Sequence, residues 1–154
     1  MMKIVPAQSE QSVETVRTLF REYADSLGVD LSFQDFEKEL TTLPGDYAPP
    51  SGQLYLALEI VEPSGCVGFR KISGEICELK RLYVRPLFRG KGVGRRLVLE
   101  AVKDARRISY QRMRLDTLPS MKRAQELYLS MGFKPIPPYR ANPVPGADFL
   151  ELEL

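Results

Sequence analysis

The stretch LYVRPLFRGKGVGRRLV, residues 82–98, constrains the fold more than any other part of the chain. It joins a strand-like segment to a helix-like segment through a turn that contains Gly90, Gly92 and Gly94. Glycine lets the backbone approach a ligand closely, and the start of the helix adds unpaired N–H groups and a partial positive charge. The basic residues around the glycines are Arg85, Arg89, Lys91, Arg95 and Arg96. The stretch therefore predicts an anion-binding strand–turn–helix unit, with a purely structural turn as the alternative.

Two common phosphate-binding motifs do not fit these glycines. A Walker loop needs Lys followed by Ser or Thr after its last glycine, whereas Arg95 and Arg96 follow Gly94. A dinucleotide-binding fingerprint reads G-x-G-x-x-G, and its third glycine would fall on Leu97 or Arg95. The sequence therefore disfavours a nucleoside triphosphate or a dinucleotide as the anion.

The remainder of the 154 residues alternates between strand and helix patterns. The predicted order β-α-α-β-β-β-α-β-α-β-β describes a mixed α/β sheet with flanking helices, in a single domain over residues 1–154. Ser9, Ser32 and Ser120 are predicted to cap the first, second and last helices. The segments QLYLALEIV, CVGFRKI and ICELKRLYV predict three antiparallel strands, with turns at EPSG and SGE.

Composition narrows the possible chemistry. The chain has no histidine, which removes the commonest general base and excludes Ser-His-Asp and Cys-His mechanisms. Its two cysteines, Cys66 and Cys77, do not form a metal-binding pair, so we expect buried thiols and no metal. The chain shows neither a signal peptide nor an apolar run of roughly 20 residues that would span a membrane. We therefore expect a cytoplasmic protein with no membrane partner.

Two motifs in the chain resemble those of the GNAT N-acetyltransferase superfamily. The acyl-CoA-binding motif of that family reads Arg/Gln-x-x-Gly-x-Gly/Ala, which Arg89, Gly92 and Gly94 match. The later segment AQELYLSMGF resembles the family's downstream helix, with its tyrosine and closing Gly-Phe. The order of strands and helices also matches, so the resemblance covers nearly the whole chain. It implies a mostly antiparallel sheet in which the fourth and fifth strands are parallel and splayed apart.

The resemblance implies acetyl-CoA as the acyl donor. Coenzyme A would lie between the splayed strands, its pantetheine arm paired with the backbone of one strand and its pyrophosphate held by amides of residues 90–95. The implied contacts are Leu82, Tyr83, Val84, Arg89, Gly90, Lys91, Gly92, Val93, Gly94 and Arg95. Many relatives also contact coenzyme A through an asparagine seven residues before the tyrosine. Met121 stands at that position here, with Ser120 beside it as a substitute polar contact.

Acetyl transfer to an amine benefits from an acid that protonates the leaving thiolate. Tyr128 stands at the position of the family's thiolate-protonating tyrosine. The alternative is a core tyrosine, because Ala124, Leu127 and Met131 lie on the same helix stripe. A backbone N–H near Val84 would stabilise the oxyanion.

The transfer also needs a base, and two carboxylates are candidates. Glu78 lies four to six residues before the backbone-pairing segment, with Lys80 and Leu82 expected on the same face of the strand. The alternative for Glu78 is a strand carboxylate paired with Lys80 or Arg81. Asp116 lies in the fifth strand, where some relatives place their acidic residue, and either carboxylate would act directly or through water.

The net charge of +2 hides an uneven distribution. Residues 22–50 contain seven acidic residues and one basic residue, whereas residues 70–114 contain fourteen basic and four acidic ones. These runs are either solvated helix faces or binding surfaces, the acidic one for a cation and the basic one for an anion. In the family the acceptor usually enters beside the first two helices and the region of the sixth and seventh strands. The resemblance therefore implies a primary amine as acceptor: a small molecule, an amino-acid-like molecule or a peptide amine.

Two other functions compete with direct acetyl transfer in a ternary complex. A non-catalytic acyl-CoA-binding regulatory module would use the same fold and the same glycine motif. A nucleic-acid-binding protein would use the basic helix over residues 95–107, but that helix lacks interleaved aromatic residues, so no nucleic-acid partner is expected. The resemblance also makes a homodimer a reasonable expectation.

Overall fold

The computed structural model describes residues 1–28, 30–31 and 35–154. Within these residues, seven strands form one sheet in the order β1-β2-β3-β4-β5-β7-β6. The strands are β1 Met2–Pro6, β2 Gln53–Glu59, β3 Glu62–Ser73, β4 Ile76–Val84, β5 Arg112–Thr117, β6 Lys134–Pro135 and β7 Asp148–Glu153. The helices are α1 Glu10–Leu27, α2 Phe36–Thr42, α3 Val93–Arg107 and α4 Lys122–Ser130. The predicted order of elements and the mixed, mostly antiparallel sheet are confirmed.

The helix ends agree only partly with the predicted caps. The Ser9 hydroxyl accepts a hydrogen bond from the backbone N–H of Ser12 at 3.1 Å and begins α1 as predicted. Ser32 lies outside the described residues, and α2 begins after Asp35. The prediction for Ser120 was wrong. Residues 118–121 form a turn closed by the Met121 N–H and the Leu118 carbonyl at 2.9 Å, so α4 begins only after Met121.

The hairpin between β2 and β3 corrects a second prediction. The expected turn at EPSG, residues 62–65, is part of β3, where Glu62 pairs with Glu59 and Gly65 pairs with Ala57. The chain instead turns at Ile60 and Val61, and Ile60 adopts a φ of +59°. Two apolar residues carry no turn signal, which is why the sequence pattern misplaced the turn.

Hydrophobic clusters cover both faces of the sheet. One face packs against α1 and α2 through side chains such as Val16, Leu19 and Phe20. The opposite face packs against α3 and α4 through side chains such as Leu97 and Ala101. Cys66 and Cys77 are buried and free, as expected. None of the helices among the described residues is long and apolar enough to cross a membrane.

The central parallel strands pair at their starts and then separate. Residues 76–78 of β4 pair with residues 112–114 of β5, and beyond these pairs the two strands diverge as the family resemblance implied. Because β4 runs on to Val84 and β5 to Thr117, the fork between them opens toward the carboxyl ends of both strands. The glycine stretch follows β4 directly at this open end.

A β-bulge in β4 changes the direction of its side chains. One residue of β3, Val67, opposes two residues of β4, Arg81 and Leu82. Arg81 adopts a φ of +64°, an uncommon value for a residue other than glycine. Two hydrogen bonds of 3.0 Å each to the Glu39 carboxylate hold its guanidinium in place.

The bulge overturns the prediction that Glu78, Lys80 and Leu82 share one face. Leu79 packs in the α3–α4 cluster, which places its neighbours Glu78 and Lys80 on the α1–α2 face. After the bulge the alternation reverses, so Leu82 packs against the α3–α4 cluster and Tyr83 joins the α1–α2 cluster. Simple strand alternation fails here because a bulge inserts one extra residue into the pattern.

Candidate active site

A groove of about 660 Å³ lies between the end of β4, the glycine turn, α3 and α4. We call it the glycine groove. Nine of the ten predicted coenzyme A contacts line it. The exception is Lys91, whose ammonium lies 5.8 Å from the ring centroid of Phe88. The structure therefore brings the strand end and the glycine turn to one cavity.

The backbone of the glycine turn is shaped to present its amides. Gly90 and Gly92 both adopt a φ of +80°, and an added Cβ at either position would meet no atom within 4 Å. Gly92 is the N-cap of α3, so the first amides of that helix have no intrahelical partner. Successive amides in this conformation and the helix dipole favour the binding of an anion. Gly94 has a second role, because an added Cβ would lie 3.4 Å from Leu127 Cδ2 on α4.

Two arginines of the predicted set are fixed by hydrogen bonds to the protein. Arg89 Nε donates to the carbonyl oxygen of Val84 at 2.9 Å, which ties the glycine turn back to the end of β4. Arg95 Nη2 donates to Ser130 Oγ at 2.7 Å and links α3 to α4. These bonds use one nitrogen of each side chain and leave other guanidinium donors available to an anion.

Sequence reasoning missed several residues of the glycine groove. Lys122 and Arg123 of α4 line it and add two positive charges, and Tyr23 and Ser26 of α1 line it from the other side. Lys122 and Arg123 directly follow Met121 in the sequence, and this basic pair could have indicated that α4 also contributes to the groove. The contribution of α1 depends on tertiary packing and leaves no local pattern.

A second cavity lies in the fork between β4 and β5, and we call it the fork cavity. Its lining includes Lys80, Arg81, Asp116, Tyr128 and Asn142. It shares four lining residues with the glycine groove, namely Tyr23, Leu27, Leu82 and Met121. The predicted residues Asp116 and Tyr128 thus line the same cavity, and part of its wall is shared with the glycine groove.

Tyr128 is buried in α4, and its ring contacts Phe133 with a centroid distance of 5.6 Å. Among the described residues, no hydrogen bond joins its hydroxyl to another protein group, although the residue lines the fork cavity. Burial raises the pKa of the Tyr128 phenol above its ordinary value, so the phenol is protonated at neutral pH. A protonated hydroxyl that faces a cavity can donate a hydrogen bond to a ligand.

Asp116 enters the fork cavity from β5. Its Oδ2 accepts a hydrogen bond of 3.2 Å from Asn142 Nδ2, and the residue is partly exposed to the cavity. Lys80 lies on the opposite wall, where burial and the neighbouring Arg81 guanidinium lower its pKa to about 8. The carboxylate of Asp116 is therefore accessible and has spare acceptor capacity.

Glu78 has a different environment, because its side chain is fully buried. It accepts hydrogen bonds from Tyr139 Oη at 2.7 Å, from Arg70 Nε at 3.2 Å and from Arg140 Nη2. Lys80 Nζ lies 4.0 Å from Glu78 Oε1, which is one of the pairings anticipated as the alternative to catalysis. Burial alone would raise the pKa of Glu78, but Lys80, Arg140, Tyr139 and Arg70 together hold it below its ordinary value. A carboxylate with these partners is a weak proton acceptor.

The acidic run of residues 22–50 is partly neutralised inside the structure. Glu22 pairs with Arg85 at 2.7 Å, and Glu39 pairs with Arg81 at 3.0 Å. The predicted acidic surface beside α1 and α2 is therefore less negative than the residue count suggests. Across the described part of the chain, no group of three or more His, Cys, Asp or Glu side chains is placed to hold a metal ion.

A sequence profile described as the acetyltransferase (GNAT) family matches residues 14–133. The chain belongs to this family. The matched range contains the glycine turn, Glu78, Asp116 and Tyr128, and ends before the loop that carries Tyr139 and Arg140.

Individual relatives agree with the GNAT assignment. An uncharacterized N-acetyltransferase of Schizosaccharomyces pombe is 38% identical over 146 residues, which cover 94% of this chain and 90% of that protein. A GNAT-family acetyltransferase of Staphylococcus aureus superposes with a TM-score of 0.82 at 18% identity, over 99% of both chains. The PaiA N-acetyltransferase of Thermoplasma acidophilum, solved in complex with coenzyme A, superposes with a TM-score of 0.76 at 19% identity, over 100% of this chain and 99% of that one.

Proposed function

We propose that this GNAT protein transfers the acetyl group of acetyl-CoA directly to a primary amine within a ternary complex. One observation carries the proposal: the glycine groove and the fork cavity share Leu82 and Met121 as well as the α1 residues Tyr23 and Leu27. The predicted anion site and the two candidate proton-transfer groups therefore lie in neighbouring cavities that have part of their walls in common. A reaction between a phosphate-bearing acyl donor and an amine requires such an arrangement, because the reacting groups must be held close together in a fixed orientation.

The residues of the glycine groove fit coenzyme A. The open space above Gly90 and Gly92 and the unpaired amides at the start of α3 suit a pyrophosphate, and Arg95, Lys122 and Arg123 supply counter-charge. The diverging edge of β4 at residues 82–84 offers backbone groups to an extended pantetheine arm. The complex of the PaiA relative with coenzyme A supports this assignment, since that protein has the same fold.

In the proposed reaction the amine nitrogen bonds to the acetyl carbonyl carbon, and the carbon–sulfur bond breaks. Asp116 accepts the proton that the amine releases, directly or through one water molecule. Tyr128 donates its hydroxyl proton to the departing thiolate. The Tyr128 phenolate then regains a proton from solvent, and Asp116 releases one to solvent, so that both groups return to their starting states. The burial and ion pairs of Glu78 favour Asp116 as the base, because Glu78 has no accessible oxygen that could receive a proton.

The proposal is tested with a panel of primary amines and acetyl-CoA, in which a thiol reagent detects the free coenzyme A. We expect thiol release that depends on both the amine and the protein. Saturable binding of acetyl-CoA without thiol release from any amine would instead support the non-catalytic binding module.

Gly92→Glu should raise the dissociation constant for acetyl-CoA by at least about tenfold, because the new carboxylate would lie in the pyrophosphate site. The matched control is Gly74→Glu. Gly74 also has a positive φ and no atom within 4 Å of an added Cβ, but it lies in the hairpin turn between β3 and β4. Both variants carry backbone strain, and only Gly92→Glu should bind acetyl-CoA weakly in calorimetric titration. Equal affinities in the two variants would contradict the assigned phosphate site.

Tyr128→Phe should lower kcat by about 10- to 100-fold, the effect of losing one hydrogen bond to a developing anion. The affinity for acetyl-CoA should change by less than about threefold, because the ring still packs against Phe133. Tyr55→Phe is the control, since Tyr55 is a buried tyrosine whose hydroxyl bonds to Asp104 away from both cavities. The steady-state rate of thiol release is measured for both variants. If the kcat of Tyr128→Phe equals that of the wild type at every pH, Tyr128 has no role in the mechanism.

A further inference from the structure

One loop, residues 136–147 between β6 and β7, contacts both carboxylates that were candidates for the base. Glu78 pairs with Arg114 of β5, and Asp116 lies two residues further along that strand. Strand alternation therefore places both carboxylates on the same face of the sheet. The loop contacts them differently, since it contributes two hydrogen-bond donors to Glu78 and one to Asp116.

The contacts at Glu78 anchor the loop to the sheet. Tyr139 Oη donates a hydrogen bond to the Glu78 carboxylate at 2.7 Å. The Tyr139 ring also packs edge-on against Phe149 at a centroid distance of 5.3 Å, and Phe149 is the residue of β7 that pairs with Asp116. Because Tyr139 is fixed in this way, the residues that follow it in the loop are held beside Asp116.

Asn142 is the only asparagine in the chain, and both ends of its side-chain amide form hydrogen bonds. Its Oδ1 accepts a hydrogen bond from the backbone N–H of Val144 at 3.0 Å, and its Nδ2 donates to Asp116 Oδ2 at 3.2 Å. A backbone N–H can only donate, so the amide oxygen faces Val144 and the amide nitrogen faces Asp116. The turn that Asn142 forms with Val144 therefore fixes the direction in which its nitrogen donates.

The hydrogen bond from Asn142 orients Asp116 without neutralising its charge. Oδ2 of the carboxylate is held, whereas no described residue donates a hydrogen bond to Oδ1. An ion pair favours the charged carboxylate and makes it a weaker proton acceptor, as at Glu78, and a neutral amide has a smaller effect of this kind. The contact with Asn142 therefore fixes the carboxylate and leaves one of its oxygens able to take a proton.

The surroundings of Asp116 make this orientation important. Asp116 and Asn142 both line the fork cavity, whose volume of about 30 Å³ has room for a water molecule. Proton transfer through water depends on hydrogen-bond geometry, so the accepting oxygen must have a fixed position. The other titratable or charged groups near the carboxylate are Tyr23 of α1, Lys80 and Arg81 of β4, Tyr128 of α4 and Tyr139 of the loop. Within the described part of the chain, the hydrogen bond that reaches the carboxylate comes from Asn142.

We propose that Asn142 is a positioning residue that orients the Asp116 carboxylate for proton transfer, in a loop that Glu78 anchors. This inference rests on the proposed acetyl transfer and adds a residue to its mechanism. Glu78 then serves the reaction indirectly, by holding the loop that orients the base. Residues 136–147 lie outside the family-matched range 14–133, so the family pattern does not indicate this role.

A double-mutant cycle tests whether Asn142 acts through Asp116. Asn142→Ala should lower kcat by about tenfold, the effect of losing one hydrogen bond to a charged group. The affinity for acetyl-CoA should stay within about twofold of wild type, because Asn142 does not line the glycine groove. In the Asp116→Asn background the same change should cost less than about twofold, since no carboxylate is left to orient. Equal losses in both backgrounds would show that Asn142 only supports the fold and would overturn the positioning role.

Asn142→Asp separates the two hydrogen bonds of the side chain. The new carboxylate still accepts from the Val144 N–H and keeps the turn, but it places a second negative charge beside Asp116. Two carboxylates this close share a proton, and a base works only when it is ionised, so the acid limb of the kcat–pH profile should move to higher pH by at least about one unit. A profile identical to that of the wild type would contradict the proposal. The control Ala141→Asp adds the same charge at the exposed neighbouring residue and should keep the wild-type profile.

A measurement on the wild-type protein covers the case in which the variants fold poorly. The side-chain NH2 resonances of Asn142 should move in NMR spectra when the Asp116 carboxylate gains a proton at low pH, and resonances that ignore this change would overturn the inference. If amines release coenzyme A and Asn142→Ala keeps the wild-type kcat, the positioning role is overturned and acetyl transfer stands. If no amine releases coenzyme A, acetyl transfer itself fails, and the role of Asn142 in catalysis fails with it.

Discussion

Asp116→Asn should lower kcat by at least about 100-fold, the usual contribution of a general base. The amide has nearly the same shape as the carboxylate and can keep its contact with Asn142, but it cannot accept the proton of the amine. Asp116 lines the fork cavity but not the glycine groove, so the affinity for acetyl-CoA should stay within about twofold of wild type. Single-turnover thiol release with saturating amine measures the chemical step directly.

The matched control is Asp148→Asn. Asp148 begins β7 and pairs with Thr117, the neighbour of Asp116, but its side chain is exposed. The variant Asp148→Asn should retain the wild-type kcat. If Asp116→Asn retains more than about a third of that kcat, another group takes the proton and Asp116 is not the base. A loss of acetyl-CoA affinity in Asp116→Asn would instead indicate a change of shape in the cavity.

Local sequence signals were sufficient to predict the strand, the glycine turn and the helix that form the glycine groove. The glycines, the helix start at Val93 and the strand before them are specified by neighbours in the chain, so their positions follow from backbone preferences. Nine of the ten predicted contacts accordingly lie in one groove. Lys91 is the exception because its side chain points back to Phe88, a rotamer choice that no sequence pattern encodes.

The acceptor side could not be predicted in the same way. The bulge at Arg81 reverses the face of every later residue in β4, and an arginine at a positive φ gives no signal in the sequence. Arg140 reaches Glu78 across 62 residues of sequence, in a loop with little regular structure. Whether Glu78 can act as a base depends on the residues that surround its carboxylate. Those residues, Arg70, Tyr139 and Arg140, are brought together only by tertiary packing, so the sequence could not answer the question.

Glu78→Gln should lower the free energy of unfolding by about 3–5 kcal/mol, the usual cost of leaving buried charge without its partner. The change removes the carboxylate that Arg70, Lys80 and Arg140 share in the α1–α2 face of the sheet. Domains of this kind are stable by only about 5–15 kcal/mol, so the effect would be a large part of the total. Urea unfolding at pH 7 provides the measurement, with exposed Glu75→Gln at the start of the same hairpin as control.

The same interaction makes a prediction about pH. The pKa of Glu78 in the folded protein lies below its ordinary value of about 4.3, so the ion pairs stabilise the fold above that pH and lose their effect as the pH falls through the folded pKa. The difference in stability between wild type and Glu78→Gln should therefore be full at pH 7 and shrink below about pH 4. The double variant Glu78→Gln/Arg140→Gln should be more stable than Glu78→Gln alone, since it removes one of the cations left without a partner. Additive losses in the double variant would show that the carboxylate and Arg140 are not coupled.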